Sequence, residues 1–214
     1  MLRGGFVLLP SDTCYSLTTI ARDENARAKV NYVLGRGNDP VSIAFSGYRH
    51  VREWVQMDES IAALLEQFTP GPITIVCKAR DEVSDEFLEG VIGSPDRTIG
   101  VRIPDSRIER DIAACTEYLL MTVAVRDPDT DEAIQDFEKA CEIVKMGGIA
   151  DFKKLGWDAI EGNQFYSSHS TVVRMGGVNG VQLLREGDIP FKHILDTLRN
   201  PSGWAVEMER ERGA

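Results

Sequence analysis

A handful of arginines and hydroxyl side chains stand where strand geometry can gather them around an anion. Residues two apart on a strand share a face. Thr98, Gly100 and Arg102 therefore point one way, while Ile99, Val101 and Ile103 point into a core. A glycine between two polar side chains leaves room for a ligand close to the backbone. Arg102 then either meets that ligand or is salt-bridged or solvated. Further on, the runs Ser170–Met175 and Val181–Arg185 flank Gly176-Gly177-Val178-Asn179-Gly180. Asn179-Gly180 tolerates the positive φ angles of a type I′ turn. That turn sets Arg174 opposite Arg185, with Ser170 on their face. Two arginines across a strand pair repel unless a bound anion, Glu186 or a more distant carboxylate neutralises them; a solvated pair is the other reading. Arg36, just past Gly35, is either a surface residue compensating a helix dipole or a phosphate ligand.

The elements that would position these residues follow from pattern. A short apolar strand, Gly5–Leu9, runs into Pro10-Ser11-Asp12-Thr13 and forms the floor of a ligand site. Asp23 caps a helix carrying Ala26, Val30, Val33 and Leu34, and Gly35 closes it. Val41–Phe45 is a strand. Asp58 caps a helix whose Ile61, Leu64, Leu65 and Phe68 share one face. Pro70-Gly71-Pro72 turns the chain into the strand Ile73–Lys78. Thr98–Ile103 is a strand, Arg107–Cys115 a helix and Tyr118–Val125 a buried strand. Thr130 or Asp131 caps a long helix ending near Lys145. The stretch Gly147–Asn163 is poorly patterned, and Pro190 opens a last helix over Phe191–Leu198. Strands alternating with helices, plus one hairpin, indicate an α/β (α+β) fold: a twisted mixed sheet with helices on both faces and an open concave cleft.

Composition limits the functions available. The 214 residues, 43% hydrophobic and 27% charged, suit one domain over 1–199 followed by a polar tail over 200–214. The net charge of -10 argues against an extended nucleic-acid surface, though a local basic cleft inside an acidic shell stays open. No run approaches the roughly 18 apolar residues of a membrane span. The N-terminus leaves no room for a signal peptide before the first strand, so a cytoplasmic protein is expected. Cys14, Cys77, Cys115 and Cys141 lack metal-type spacing; three lie in apolar stretches and read as reduced core residues. His50, His169 and His193 sit in unrelated contexts and read as surface or boundary residues. There is no Walker or Rossmann phosphate loop, nucleophile elbow or metal-binding helix motif.

Six short segments in order carry a resemblance. Pro10-Ser11-Asp12-Thr13-Cys14-Tyr15-Ser16-Leu17 is similar to a PTDTxYGL signature. Leu34-Gly35-Arg36 with Asp39-Pro40-Val41 matches KxR…NPL, and Thr69-Pro70-Gly71-Pro72 matches WPGP. Thr98–Pro104 matches TVGVRxP, Ser170-Thr171-Val172-Val173 matches STVVD, and Leu184-Arg185-Glu186-Gly187 matches LRxG. Together they resemble the YrdC/YciO family, threonylcarbamoyl-AMP synthases among them, over about residues 4 to 190.

The resemblance implies a YrdC-like fold and a pocket for L-threonine, bicarbonate and ATP, with Mg²⁺. The family carboxylates the threonine amine and lets the carbamate attack the α-phosphate. This gives threonylcarbamoyl-adenylate, a donor for tRNA modification, and pyrophosphate. Thr13, Arg102 and Ser170 would hold the amino acid. Arg36, Asp39, Thr98 and Arg185 would lie on the nucleotide side. No residue is assigned as catalytic, and no resident metal site is expected. The chain departs from the pattern at Leu34, where the family has lysine, and at Gly37, where it has proline. Val123-Ala124-Val125 stands for an SxAN strand end, so Met121, Val123 and Val125 make an apolar face where synthases are polar. Losing two such hydrogen-bonding groups weakens nucleotide binding by about a hundredfold or more. Three functions follow: a synthase-like nucleotidyltransferase, a non-catalytic or re-purposed binder of a nucleotide, small anion or RNA, and an enzyme with a more hydrophobic substrate. The acidic charge disfavours RNA.

Overall fold

A computed structural model describes residues 5–37, 41–88, 94, 96–116, 118–147, 157–162, 169–176 and 180–199. In chain order the elements are β1 (Phe6–Pro10), β2 (Tyr15–Ile20), α1 (Glu24–Val33), β3 (Ser42–Ala44), α2 (Tyr48–Arg52), α3 (Glu59–Phe68), β4 (Ile73–Lys78) and α4 (Asp85–Phe87). They continue with β5 (Thr98–Arg102), α5 (Arg107–Cys115), β6 (Leu120–Ala124), α6 (Phe137–Met146), β7 (Trp157–Ala159), β8 (Thr171–Met175), β9 (Val181–Arg185) and α7 (Phe191–Arg199).

The strands form one mixed sheet in the order β7-β1-β2-β6-β3-β5-β4-β8-β9. Pairs β1–β7, β3–β5 and β4–β8 are parallel and the others antiparallel. One face carries Leu8, Leu17, Met121, Ile43, Val101, Ile75 and Val173, which merge with apolar residues of α1, α3, α6 and α7 into the main core. On the other face α5 lays Ile112 and Ala113 over Ile20, Ala44 and Leu120. The mixed α/β architecture with helices on both faces is as the pattern indicates.

Helix starts follow their caps. Asp23 accepts from Ala26 N–H at 2.9 Å and Asp58 from Ile61 N–H at 2.8 Å, satisfying donors the first turn leaves orphaned. Gly35 ends α1 at φ +61°, a conformation that costs glycine no Cβ clash. The α6 boundary differs from expectation: Asp136 is its cap, through Lys139 N–H at 2.7 Å, in place of Thr130 or Asp131. Asp127 holds the preceding residues in a loop, accepting from the N–H groups of Asp129 and Thr130 at 3.0 and 3.3 Å. Such local Asx bonding competes with helix formation.

Two strands escape the pattern reading. Tyr15–Ile20 is buried at every position, so it shows no alternation. Trp157–Ala159 has three residues and lies in the stretch that offered no pattern. No described helix is long and apolar enough to cross a membrane.

Candidate functional site

The sheet face that α5 only partly covers opens into a cleft of about 920 Å³. Its floor follows from register. Ser16 pairs with Ala124, Ser42 with both Thr122 and Gly100, and Ile75 with Val101, which brings Thr74 beside Arg102. The hydroxyls of Ser16, Ser42, Thr74 and Thr122 thus line one concave surface. Gly100 keeps that surface low: a Cβ there would lie 3.5 Å from Thr74 Cγ2 and 3.6 Å from Ser42 Oγ, ordinary contact distances. A longer side chain would rise into the space.

The β1–β2 loop and β5 build one end. Thr13, 4% exposed, lines the cleft, its carbonyl accepting from Gln135 Nε2 at 2.8 Å. Arg102 also lines it and donates through Nη2 to Asp12 Oδ1. Asp12 Oδ2 accepts from Asp105 N–H at 3.1 Å. Burial by itself would lower the Arg102 pKa, but Asp12 and Glu109 raise it overall. Arg102 therefore enters the site as a carboxylate-paired cation. Its Nε–H is buried and has no hydrogen-bond partner among the described residues. The Ser11 oxygen stands between two carboxylates, 3.1 Å from Asp12 Oδ1 and 2.5 Å from Glu109 Oε2.

The β8–β9 hairpin builds the other end. Arg185 donates through Nε and Nη2 to the Ser170 carbonyl at 3.2 and 2.9 Å, and through Nη2 to Ser170 Oγ at 2.7 Å. No carboxylate bonds it among the described residues. Burial, then the nearby cations Arg126 and Arg102, lower its pKa, so an anion in the cleft would relieve it.

The hairpin register differs from that set by a two-residue Asn179-Gly180 turn. Met175 pairs with Val181, Gly176 N–H bonds Gly180 O at 2.8 Å, and a bulge follows between Val172 and Val173. Arg185 accordingly faces Val172, and Arg174 faces Gln182. Asn179 lies outside the described residues. The longer connection separates the two arginines, and Arg174 is neutralised by the distant carboxylate of Asp96.

Arg36 lines the cleft at the C-terminal end of α1. Asp39 lies outside the described residues. Thr98 stands apart from the cleft wall: its hydroxyl donates to Asp96 Oδ1 at 2.9 Å and lies 2.8 Å from Ser94 Oγ. Asp96, bonded by Ser94, Thr98 and Arg174, is held below the ordinary carboxylate range by these contacts, the Ser94 bond first among them. The face of β6 is also corrected. Met121, Val123 and Val125 belong to the main core, with Val123 paired to Leu17. The side chains two apart on the cleft face are Thr122 and Ala124, and Val123 also borders the cleft.

Sequence reasoning missed the floor hydroxyls, because β2 itself was not seen and β3 is three residues long. It also missed Arg126 and His169, which line the cleft from loops, and an apolar rim formed by Tyr32, Leu34, Ile143 and Met146. Tyr32 is 74% and Met146 79% exposed. Among the described residues no group of three or more His, Cys, Asp or Glu could hold a metal ion. The cysteines are free, with Cys14, Cys77 and Cys141 buried and Cys115 exposed.

With this geometry in view, similarity to known proteins becomes informative. Residues 1–187 match the profile of the Sua5/YciO/YrdC family, described as "Telomere recombination". A Methanocaldococcus jannaschii protein, provisionally named a threonylcarbamoyl-AMP synthase, is 25% identical over 195 residues, covering 91% of this chain and 85% of its own. Crystalline Pyrococcus abyssi Sua5 complexed with L-threonine superposes with a TM-score of 0.73 at 23% identity, over 91% of this chain and 54% of that one. Escherichia coli YciO gives 0.71 at 19% identity, over 89% and 87%. The present chain thus spans about half the length of Sua5 and most of YciO. Extended similarity through residue 187 and a shared sheet topology lead to one conclusion: the chain belongs to the Sua5/YciO/YrdC family.

Proposed function

We propose that the cleft binds L-threonine and ATP and, with bicarbonate, forms threonylcarbamoyl-adenylate and pyrophosphate for tRNA modification. The observation that carries this reading is the gathering of Thr13, Arg102, Ser170, Arg185 and Arg36 on the wall of one cleft. A ligand carboxylate or phosphate there would gain charge-assisted hydrogen bonds from the guanidinium groups. Arg185, crowded by other cations, suits a second anion, with Arg36 on the α1 side. Cationic groups around a hydroxyl-lined floor suit an amino acid laid against a nucleotide. The complex of Sua5 with L-threonine supports the first half by kinship.

Magnesium would enter as the counter-ion of the triphosphate. The residues given roles here bind and orient: Arg102, Thr13 and Ser170 hold the amino acid, and Arg185 and Arg36 the phosphates. Thr98 is given no ligand contact, since Ser94 and Asp96 occupy its hydroxyl.

A second reading, a binding protein without turnover, is favoured by one observation. Leu34 lines the cleft where the family motif has a lysine, so a cation that would offset leaving pyrophosphate is absent from that position. Incubation with L-threonine, bicarbonate and Mg-ATP, assayed for pyrophosphate, separates the two. Release above an ATP-only control is expected, and its absence while threonine still binds would select the second reading. Restoring the motif lysine with Leu34→Lys should then raise turnover.

A further inference from the structure

Glu109, on the first turns of α5, is 0% exposed and has no place in the binding scheme above. Its Oε2 lies 2.5 Å from the Ser11 oxygen, and among the described residues its Oε1 has no hydrogen-bond partner by distance and angle. Counting protons decides what this arrangement is. Ser11 has one hydroxyl hydrogen and two carboxylate neighbours, Asp12 Oδ1 at 3.1 Å and Glu109 Oε2 at 2.5 Å. With both carboxylates ionised, one of those contacts sets oxygen lone pairs against each other in a dry site. With a proton on Glu109, the chain closes: Glu109 O–H donates to Ser11, Ser11 O–H donates to Asp12, and Asp12 accepts from Arg102.

The surrounding charges bear on the same point. From the β1–β2 loop Glu109 faces Asp12 and Cys14, from β5 Arg102, and from β6 the Thr122 hydroxyl. Its own helix carries Arg107, Arg110 and Asp111, engaged with Asp111, Asp105 and Arg107 respectively. Arg102, the Ser11 and Thr122 hydroxyls and the N-terminal end of α5 favour the anion. Burial, the largest influence, and Asp12 oppose it, and the Glu109 carboxyl is raised above its ordinary value. Arg102 cannot neutralise two carboxylates and still hold a ligand.

We propose that Glu109 is a positioning residue of the amino-acid subsite: it carries a proton, donates it to Ser11, and leaves Asp12 as the single negative charge against Arg102. Ionising Glu109 places a second negative charge beside Arg102 and weakens its hold on a ligand carboxylate. The second consequence rests on the reading of this end of the cleft as the amino-acid site; the protonation does not.

Infrared spectroscopy of the ligand-free protein tests the protonation. At about pH 6 ordinary carboxyls are ionised, so a protonated-acid carbonyl stretch that fades as pH rises is expected. It should be missing in Glu109→Gln, and shifted in Ser11→Ala, which removes the acceptor of that proton and assigns the band even where the first variant folds poorly. A spectrum without the band overturns the proposal. Titration calorimetry with L-threonine tests the consequence. Affinity should fall about tenfold across the pH range in which the infrared band fades, as the second charge appears. Glu109→Gln, whose amide can donate to Ser11 but cannot ionise, should bind as wild type does at the lower pH and stay level. The same pH dependence in both proteins overturns the coupling. Threonine bound by neither, with the infrared band present, refutes the threonine reading while establishing the proton on Glu109.

Discussion

Replacing Arg102 with methionine keeps an apolar stem like that of the side chain and removes its charge. Asp12, 1% exposed, is then left without its cation. Breaking a buried ion pair from one side costs about 3–5 kcal/mol, because an uncompensated charge stays in a poorly hydrated place. Asp12 keeps the Asp105 N–H and the Ser11 hydroxyl, which puts the loss at the lower end, about 3 kcal/mol. Solvent screening does not reduce it further, since Arg102 is itself only 8% exposed. For a chain of this length each kcal/mol moves the melting temperature by about 2–4 °C, so a drop of about 6–12 °C is expected. Urea unfolding at about pH 7 measures the loss. A loss under about 1 kcal/mol would show that the pair behaves as a surface pair and that the dry subsite is wrongly drawn.

Other perturbations separate binding from scaffolding. Arg185→Ala should weaken ATP binding about tenfold or more, the size of a hydrogen bond to a charged group, read by calorimetry; unchanged affinity places the phosphates elsewhere. Gly100→Ala should leave both stability and binding near wild type, because its Cβ meets only ordinary contacts, whereas Gly100→Leu should abolish threonine and ATP binding by filling the floor. Full binding by the leucine variant would place the ligand off the sheet. Thr98→Val should lower stability by about 1 kcal/mol through Asp96 without changing affinity for either ligand. A selective loss of ATP binding would return Thr98 to the site. Glu109 also sets a pH trend in stability: its folded pKa is raised, so its contribution is full below the ordinary glutamate range and is lost as pH rises through the folded value. The urea midpoint of wild type relative to Glu109→Gln should fall accordingly, and a constant difference would contradict it.

Much of this protein was legible in its sequence because the relevant physics is local. Asp23 and Asp58 announce helix starts, since a capping oxygen acts within three residues. Alternation along Thr98–Arg102 separates Ile99 and Val101 from Gly100 and Arg102, since pleating is a property of one strand. Motif order alone pointed to the family. The tertiary structure decided what depends on partners far apart in the chain. It sent Thr98 to Asp96 and left it off the cleft wall. It turned Val123 to the core and Thr122 to the floor, because the phase of a strand is fixed by its neighbours and not by its own residues. Arg102 shows the division most clearly. Its place on the polar face of a strand is written in residues 98–102. Its charge state and remaining valence are set by Asp12 and Glu109, brought to it from another loop and another helix, where low polarizability makes each added charge count.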